Sequence, residues 1–422
     1  MKFHLKNLPP KASHPEPPRA GRWFIFLVSM LAFSVLLARM AGTDRYNFWI
    51  FALIVPAVIW FTICGARMMM YLWLELQASS IDRRREQWIL NKTRCSRRAF
   101  QVLLAECVIA GQENNVHIIG QPNNEDVSNE AGRLAMPYSL THMMSNKNLI
   151  RAQTNWKGEE GCRHSRIAYQ PGLTPNEVTE ETLVRLAEAV KMVMLSIPEN
   201  NPVVVLFESS GPLPVSRLQL TWRQAWQKNG LTQPLEYAEG SGLGYVNTWL
   251  NERIHDDALL LVIAIQIAPK NPQGTGEAVV ALLLGNRLTQ KTLKPMALLH
   301  RPDCSTEAEL ETGLEMAAYH VPLNDIKLQH LWQCGLSQSQ REAATIQYTS
   351  PLLASVKSEN IYDVDGSLGT TGCVAPWLAV AAAAQAAQKL QNHQLIITSD
   401  SGHEAVWSAL VSPITSEQEL DK

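Results

Sequence analysis

Two uncharged apolar runs dominate the first part of the chain. Residues 23–38 and 46–66 contain no charged side chain, and residues 40–42 extend the first run if Arg39 reaches toward the interface. Because about 20 apolar residues cross a bilayer, we predict transmembrane helices over about 23–42 and 46–66. A cleaved signal peptide followed by one buried helix is the alternative, and the long polar leader and the second apolar run argue against it.

Basic residues predict the orientation of this hairpin. Five lysines and arginines precede the first run, eight follow the second within residues 67–98, and only Arg39 and Arg45 lie between the runs. Positively charged flanks stay in the cytoplasm. We therefore expect residues 1–75 to form a membrane hairpin of a bacterial inner-membrane protein, with both ends and the soluble part in the cytoplasm.

Helical spacing continues after the hairpin. In residues 76–110, apolar positions such as Ile81, Trp88 and Leu90 alternate with basic residues. The pattern predicts a basic juxtamembrane helical linker at an anionic membrane surface. A solvated connecting helix explains the same pattern equally well.

The rest of the chain alternates short apolar runs with helical patterns. The predicted strands are residues 116–120, 203–207, 258–268, 277–284, 296–300, 394–399 and 405–411. The predicted helices are residues 174–197, 305–320 and 374–393. Strands that are apolar on both sides need cover on both faces, so an α/β class is expected. We divide this part into a first α/β half at 111–285, a second half at 286–413 and a polar tail at 414–422, with no clear tandem repeat of fixed period.

Charge and cysteine content exclude several functions. The formal net charge is −2, which gives no strong field toward nucleic acid. The seven cysteines form no C-x-x-C pair, and their number is odd. A disulfide framework or a structural zinc site is therefore not expected, and free thiols suit a reducing cytosol.

The short motifs point to no cofactor and no metal. The stretch GSGLGY at 240–245 has the wrong spacing for a dinucleotide fingerprint, so we interpret it as a flexible turn. The stretch GPLPVSR lacks the lysine of a phosphate-binding loop. The stretch HDDALL at 255–260 could serve acid–base chemistry, but a polar cap before a buried strand is the favoured interpretation.

Motifs for nucleophilic catalysis are incomplete as well. Cys162 and His164 are near neighbours in a polar stretch that predicts an exposed loop. No G-x-S-x-G elbow occurs, and ESSGP at 208–212 and GLSQSQRE at 335–342 match it only in part. Ser399, Ser401 and His403 stand in one short stretch that predicts a hairpin loop rather than a triad.

Two glycine-rich stretches resemble a known enzyme family. GEAVVALLLG at 276–285 is similar to the end of the first half of β-ketoacyl synthases and other thiolase-like enzymes. DGSLGTTGCVAPWLAVAAAAQAA at 365–387 is similar to the late glycine turn and buried helix of that family, and residues 394–411 to its closing strand pair. The resemblance covers roughly 255–412 and implies a thiolase-like layered α/β domain.

The chain also departs from that family. A ketosynthase needs a cysteine at a strand-to-helix elbow, expected near residues 150–200, where only Cys162 stands in a charged loop. The turn GSLGTTG carries no histidine where the synthases have one. The resemblance therefore implies a domain that keeps its glycines without its chemistry, with no catalytic residue, cofactor or metal.

A membrane hairpin before such a domain resembles the lipase-adapter family of type VI secretion. The stretches VVVLFESSGP, WLNERIHDDALLLVIAIQ and GEAVVALLLG carry this resemblance. It implies a non-catalytic adapter that binds a protein effector and loads it onto the secretion spike. The alternative is a membrane-anchored acyltransferase, with Cys162 or Cys373 as the nucleophile and His403 or His300 as the base. Cys373 would stand at a helix N-terminus, where the dipole lowers a thiol pKa.

Overall fold

The computed structural model describes residues 10–40, 48–109, 167, 173–271, 273–321, 328–400 and 404–414. These residues belong to two compact units, Phe3–Arg94 and Cys95–Lys422. The predicted strand at 116–120 lies outside the described residues.

The first unit is a helical hairpin. Helix α1 is Ala20–Met40, and a π-helical turn at Ile50–Ile54 leads into α2 at Val55–Ser96. Helix α1 contacts α2 where the Trp60 indole N–H donates to the Trp23 carbonyl over 2.9 Å. It contacts the π-helical turn where the Ser34 hydroxyl donates to the Ala52 carbonyl over 2.7 Å. Both helices are long and apolar enough to cross a membrane, and only 6% and 11% of their most apolar windows are buried inside the protein. The number of crossings and the side of each end stay predictions.

The predicted linker at 76–110 is wrong in its second part. Helix α2 ends at Ser96, and Ala99–Ile109 forms strand β1. Its neighbours β5 (Ala278–Asn286) and β6 (Ala297–His300) pair with it on either side. A strand in the middle of a sheet is covered on both faces, so its near-continuous apolar sequence gives no alternating signal and could be mistaken for helix.

One mixed sheet forms the frame of the second unit. Its remaining strands are β2 (Val203–Ser209), β3 (Leu235–Ala238), β4 (Leu259–Gln266), β7 (Asp303–Ser305), β8 (Leu328–Cys334), β9 (Ile361–Asp363), β10 (His393–Ser399) and β11 (Val406–Ser412). The strand order is β3-β2-β4-β5-β1-β6-β11-β10-β8-β9, and β7 pairs with β11. With helices packed on this mixed sheet, the predicted layered α/β class is confirmed.

The sheet contains a structural repeat that the sequence did not reveal. In the first half, β3, β2 and β4 are parallel, and β5 and then β1 follow antiparallel. In the second half, β9, β8 and β10 are parallel, and β11 and then β6 follow antiparallel. Each half thus repeats one chain order, and β1 joins β6 at the centre. The structure places the two halves at Ala99–Asn286 and Ala297–Ser412.

The helices occupy equivalent places in each half. In the first half they are α3 (Pro175–Met194), α4 (Val215–Lys228) and α5 (Gly242–Glu252). In the second half they are α6 (Leu310–Tyr319), α7 (Gln338–Ile346), the short α8 (Val364–Leu368) and α9 (Ala375–Leu390). The predicted helix over 174–197 is confirmed, since Thr174 and Glu177 cap α3 reciprocally and Pro175 follows the cap.

Three buried clusters lie on the two faces of the sheet. Helices α5 and α9 pack into one cluster that draws on strands of both halves. On the opposite face, α3 and α4 cover the first half and α6 covers the second, in two separate clusters. Helix α9 is buried on nearly every side, as its alanine content predicts.

Candidate functional site at the paired helix elbows

A glycine with a left-handed backbone stands at the start of α5 and shortly before the start of α9, the two helices of the cluster that both halves share. Gly242, with φ of 54°, begins α5 directly after β3, and Gly372, with φ of 55°, begins the short 3₁₀ turn that leads into α9. We call these two positions the first and second elbow. An L-residue is strained in this region of φ, so the sequence needs glycine at both places. The interpretation of GSGLGY as a flexible turn is wrong, because residues 242–245 are the first turn of a buried helix.

The first elbow is surrounded by two carboxylates and two indoles. Glu208, near the end of β2, accepts hydrogen bonds from the Gly242 N–H over 2.7 Å and from the Trp377 indole over 2.9 Å. Asp400, directly after β10, accepts from the Trp407 indole over 3.1 Å. A Cβ built on Gly242 would overlap the Asp400 carboxylate. The place where a side chain would project from this elbow is therefore filled by a carboxylate from the other half.

Glu208 is a buried carboxyl group with an unusual protonation equilibrium. Burial, and secondarily the nearby Asp400, raise the Glu208 pKa to about 7, while the hydrogen bonds from Gly242 and Trp377 oppose that shift. A loss of hydration disfavours the charged form of a carboxyl group, which explains the direction. This site therefore gains or loses a proton near neutral pH.

The second elbow has the same arrangement, with a neutral carboxamide in the place that the Asp400 carboxylate takes at the first elbow. A Cβ on Gly372 would overlap the carboxamide of Gln266, the last residue of β4. That carboxamide accepts from the Ser210 hydroxyl over 2.7 Å and donates to the carbonyls of Gly276 and Thr370 over 2.8 and 2.9 Å. Strand β4 of the first half is equivalent to β10 of the second. The first elbow packs against Asp400, directly after β10, and the second elbow packs against Gln266, at the end of β4. Each elbow therefore contacts a polar group at the end of a strand from the other half.

Cys373 lies next to the second elbow, at the N-terminal end of α9 as predicted. Its sulfur is 3.6 Å from the Ser210 hydroxyl and 3.7 Å from the Ile265 carbonyl. Burial, as the largest cause, raises the pKa of the Cys373 thiol. The desolvation of the thiolate therefore outweighs any help from the helix dipole, and the thiol form is favoured.

The histidines proposed for the acyltransferase do not complete such a site. His300 lies in central strand β6, where its Nε2 is 2.6 Å from the Ser412 hydroxyl and burial lowers its pKa to about 3. No described histidine is among the hydrogen-bond partners of Cys373. Cys162 and His403 lie outside the described residues.

Other sequence motifs have structural roles. Ser337 and Gln340 form a capping box at the start of α7. In HDDALL, Asp256 accepts from Arg253 over 2.6 Å in the turn before β4, as expected of a polar cap. Among the residues that the structure describes, no group of three or more His, Cys, Asp or Glu side chains could hold a metal ion.

Sequence reasoning missed Glu208 and Asp400 as site residues. By local pattern, ESSGP is only a partial nucleophile motif and TSDSGHEAVW only a hairpin loop. One signal was available: Glu208 directly follows the apolar run VVVLF, and a carboxylate at the end of a buried strand needs a partner. The partners, Gly242 and Trp377, are too far along the chain for a local pattern to show.

Solved structures with a similar fold are ketosynthases and related enzymes. An ishigamide ketosynthase/chain length factor is 15% identical over 58% of this chain and 86% of its own, with a TM-score of 0.41. A 3-oxoacyl-[acyl-carrier-protein] synthase III from Aquifex aeolicus is 10% identical over 74% and 99%, with a TM-score of 0.41. Cerulenin-bound OleA from Xanthomonas is 9% identical over 74% and 96%, with a TM-score of 0.42. No protein-family model and no curated protein sequence matches the chain. At these values, the fold class rests on the strand order and helix layers of the chain itself.

Proposed function

We propose that this protein is a non-catalytic adapter with a degenerate thiolase-like domain. Its N-terminal hairpin holds it in the bacterial inner membrane, and its α/β domain binds a protein effector in the cytoplasm. The effector is a type VI secretion lipase toxin, which the adapter loads onto a component of the secretion spike. Fold alone does not define function, so the proposal depends on the chemistry of the elbows.

One observation carries the proposal: the first elbow holds a glycine. A ketosynthase-like enzyme needs a cysteine at the strand-to-helix elbow of its first half, and here β3 leads to Gly242. The Asp400 carboxylate takes the space that a side chain at this elbow would need. Glycine supplies no nucleophile, and two carboxylates beside the elbow would disfavour an oxyanion there.

Two described cysteines of the second half, Cys334 and Cys373, give this proposal further support. Cys334 is fully buried, and burial together with Asp365 raises the pKa of its thiol well above the usual value. Cys373 is shifted in the same direction. A nucleophilic cysteine needs the opposite shift, because the thiolate is the reactive form.

The effector-binding role is tested by capture. The full chain in detergent is immobilised and offered a purified type VI secretion lipase, a purified spike protein and the purified products of the neighbouring genes. We expect capture by the wild type and equal capture by Cys162→Ser and Cys373→Ala, each compared with its melting curve. Loss of capture in a cysteine variant that melts normally would contradict the adapter proposal, and so would failure of the wild type to bind any of these proteins.

The acyltransferase alternative is tested by covalent labelling. A thiol-reactive acyl analogue is incubated with the full chain and with each cysteine variant, and the adduct is located by mass spectrometry. We expect slow labelling that does not concentrate on one cysteine. Rapid, stoichiometric labelling of Cys162 or Cys373, abolished by the matching substitution, would favour the acyltransferase.

A further inference from the structure

A strip of polar side chains crosses the sheet where the two halves join. Gln101 of β1 lies opposite Gly285 of β5 and opposite Leu298 of β6, and Leu298 lies opposite Ser412 of β11. Residues directly opposite on antiparallel strands project from the same face. Two residues away on that face, Leu283 belongs to the apolar cluster of the first half and Leu410 to that of the second. The strip therefore separates the two clusters.

Four side chains form this midline polar strip, namely Gln101, Gln290, His300 and His393. Gln290 reaches over Gly285, with its Cγ 3.0 Å from the position of a Cβ there. His300 contacts Ser412 over 2.6 Å. His393 is close enough to lower the pKa of His300 by its charge. Gly285 has no side chain, so the Cβ and Cγ of Gln290 occupy the position beside Gln101 on this face of the sheet.

Five polar atoms of the strip have no hydrogen-bond partner among the described residues. They are Gln101 Oε1, Gln290 Oε1, Gln290 Nε2, His300 Nδ1 and His393 Nδ1. The exposed fractions are 6% for Gln101, 6% for Gln290 and 1% for His300. Buried polar groups are nearly always hydrogen-bonded in folded proteins, and one such group without a partner is costly. Three of the five atoms belong to Gln101 and Gln290, which are neighbours at Gly285, and a single bound molecule at this pair would supply their missing partners.

The charges around the strip favour a neutral occupant. Burial lowers the pKa of His300 to about 3 and also lowers that of His393, so both imidazoles are neutral at physiological pH. The other titratable groups that act on His300 are Arg287 and His320, and burial lowers the pKa of His320 to about 4. Two carboxamide oxygens would repel an anion, and a cation would meet Arg287. A hydroxyl group fits, because it both donates and accepts.

We propose that the midline polar strip is a binding site for small neutral hydroxyl-bearing molecules. The shared chemistry has two sources, ordered water or a small hydroxylated solute. In either case the occupant donates to Gln101 Oε1 and Gln290 Oε1 and accepts from Gln290 Nε2, which bridges β1 to the loop after β5. The site lies away from the elbows and is independent of the adapter proposal.

The sign of a stability change tests the proposal. Gln290→Met keeps the volume of the side chain and removes two of the five polar atoms. If a bound molecule uses those atoms, the Tm of the full chain in detergent falls by about 2–4 °C. If nothing uses them, the substitution removes a buried polar group without a partner, and the Tm stays constant or rises. Leu293→Met, a swap in the same loop without polar atoms, is the matched control and should leave the Tm nearly unchanged.

A high-resolution crystal structure then separates the two sources. Compact density within hydrogen-bond distance of Gln101 Oε1 and Gln290 supports ordered water. Extended density, with a solute released on denaturation and detected by mass spectrometry, supports a hydroxylated ligand. An unchanged or raised Tm in Gln290→Met, or carboxamides that pair directly with protein groups, overturns the proposal.

Discussion

Gly242 determines the shape of the first elbow because it has no side chain. Its backbone has a φ of 54°, its N–H donates to Glu208, and its Cα faces the Asp400 carboxylate. Each of these facts alone would be an ordinary detail of a helix start. Together they mean that the position accepts only glycine, and that the first elbow can hold either a reactive side chain or the Asp400 carboxylate, but not both.

Substitution at this position should therefore be costly. We expect Gly242→Ala to destabilise the fold by about 1–3 kcal/mol, because it combines a strained φ with overlap at Asp400. Gly244→Ala, two residues further along α5, is the control, because a Cβ there meets only the Trp407 ring, at 3.5 Å. Alanine is favoured over glycine at helical positions, so Gly244→Ala in the first turn of α5 should be neutral or slightly stabilising. Urea unfolding of both variants measures the difference, and equal effects would contradict the proposed overlap.

Glu208 should make the protein less stable as the pH rises. Its folded-state pKa is about 7, against a reference value of 4.5, so the folded state holds the proton more tightly than the unfolded chain. The stabilisation is complete below about pH 4.5 and is lost as the pH rises to about 7. Over this pH range, we expect the free energy of unfolding of Glu208→Gln to fall less than that of the wild type, by on the order of 1–3 kcal/mol. This figure allows for partial screening of the charge by solvent.

The pH profile needs a matched control, because two other carboxyl groups, the partly buried Glu106 and the buried Asp365, also have raised pKa values, about 7 and about 6. The informative quantity is therefore the difference between the wild type and Glu208→Gln at each pH. Glu252→Gln, which changes an exposed carboxylate on α5, should leave the profile unchanged. A Glu208→Gln profile parallel to that of the wild type would show that Glu208 does not titrate in this range.

At the scale of elements, the sequence predicted what depends on local pattern. Helix α3 was visible because Thr174, Pro175 and Glu177 carry the start signal, and strand β4 because its apolar run is uninterrupted. Strand β1 was missed because it follows a long basic helix without a glycine or proline between them. Strand β8 was missed because His330 and Gln333 interrupt its apolar pattern.

The candidate site could not be predicted from local pattern for a different reason. Glu208, Gly242, Trp377 and Asp400 span almost half of the chain, and only the strand order brings them together. The repeat of the two halves was hidden as well, because buried strands require apolar residues but not the same ones. Strand β2 and its equivalent β8 have the sequences VVVLFES and LQHLWQC.

Helix α9 offers a test of packing at the element scale. Ala381 is fully buried in the cluster that joins both halves, whereas Gln388 on the same helix is exposed. We expect Ala381→Leu to destabilise the fold by about 1–3 kcal/mol, because added methylene groups have no space there. Gln388→Leu introduces the same side chain at the exposed position and should change stability by less than about 0.5 kcal/mol. Similar melting temperatures for the two variants would show that α9 is not tightly enclosed.

At the scale of the whole molecule, we predict that the hairpin holds the α/β domain at the cytoplasmic face of the membrane. The basic residues before α1 and along α2 predict that both ends of the hairpin face the cytoplasm. A reporter fused after Lys422 should be active when it requires the cytoplasm and inactive when it requires the periplasm. A fusion after Thr43, between the two apolar runs, should give the reverse pattern. Periplasmic activity of the Lys422 fusion would contradict this topology.

Helix α9, which packs against both halves, is made much later in synthesis than the strands of the first half. It packs against β1 and β5 of the first half as well as against strands of the second half. Strand β5 is complete at Asn286, but α9 is complete only at Leu390. At about 5–20 residues per second, the ribosome needs roughly 5–20 s to make the residues between. During that interval the apolar strands of the first half are present without α9, the helix that covers them in the folded protein. The hairpin has already been made by then. The nascent chain is therefore most prone to aggregation in the middle of its synthesis.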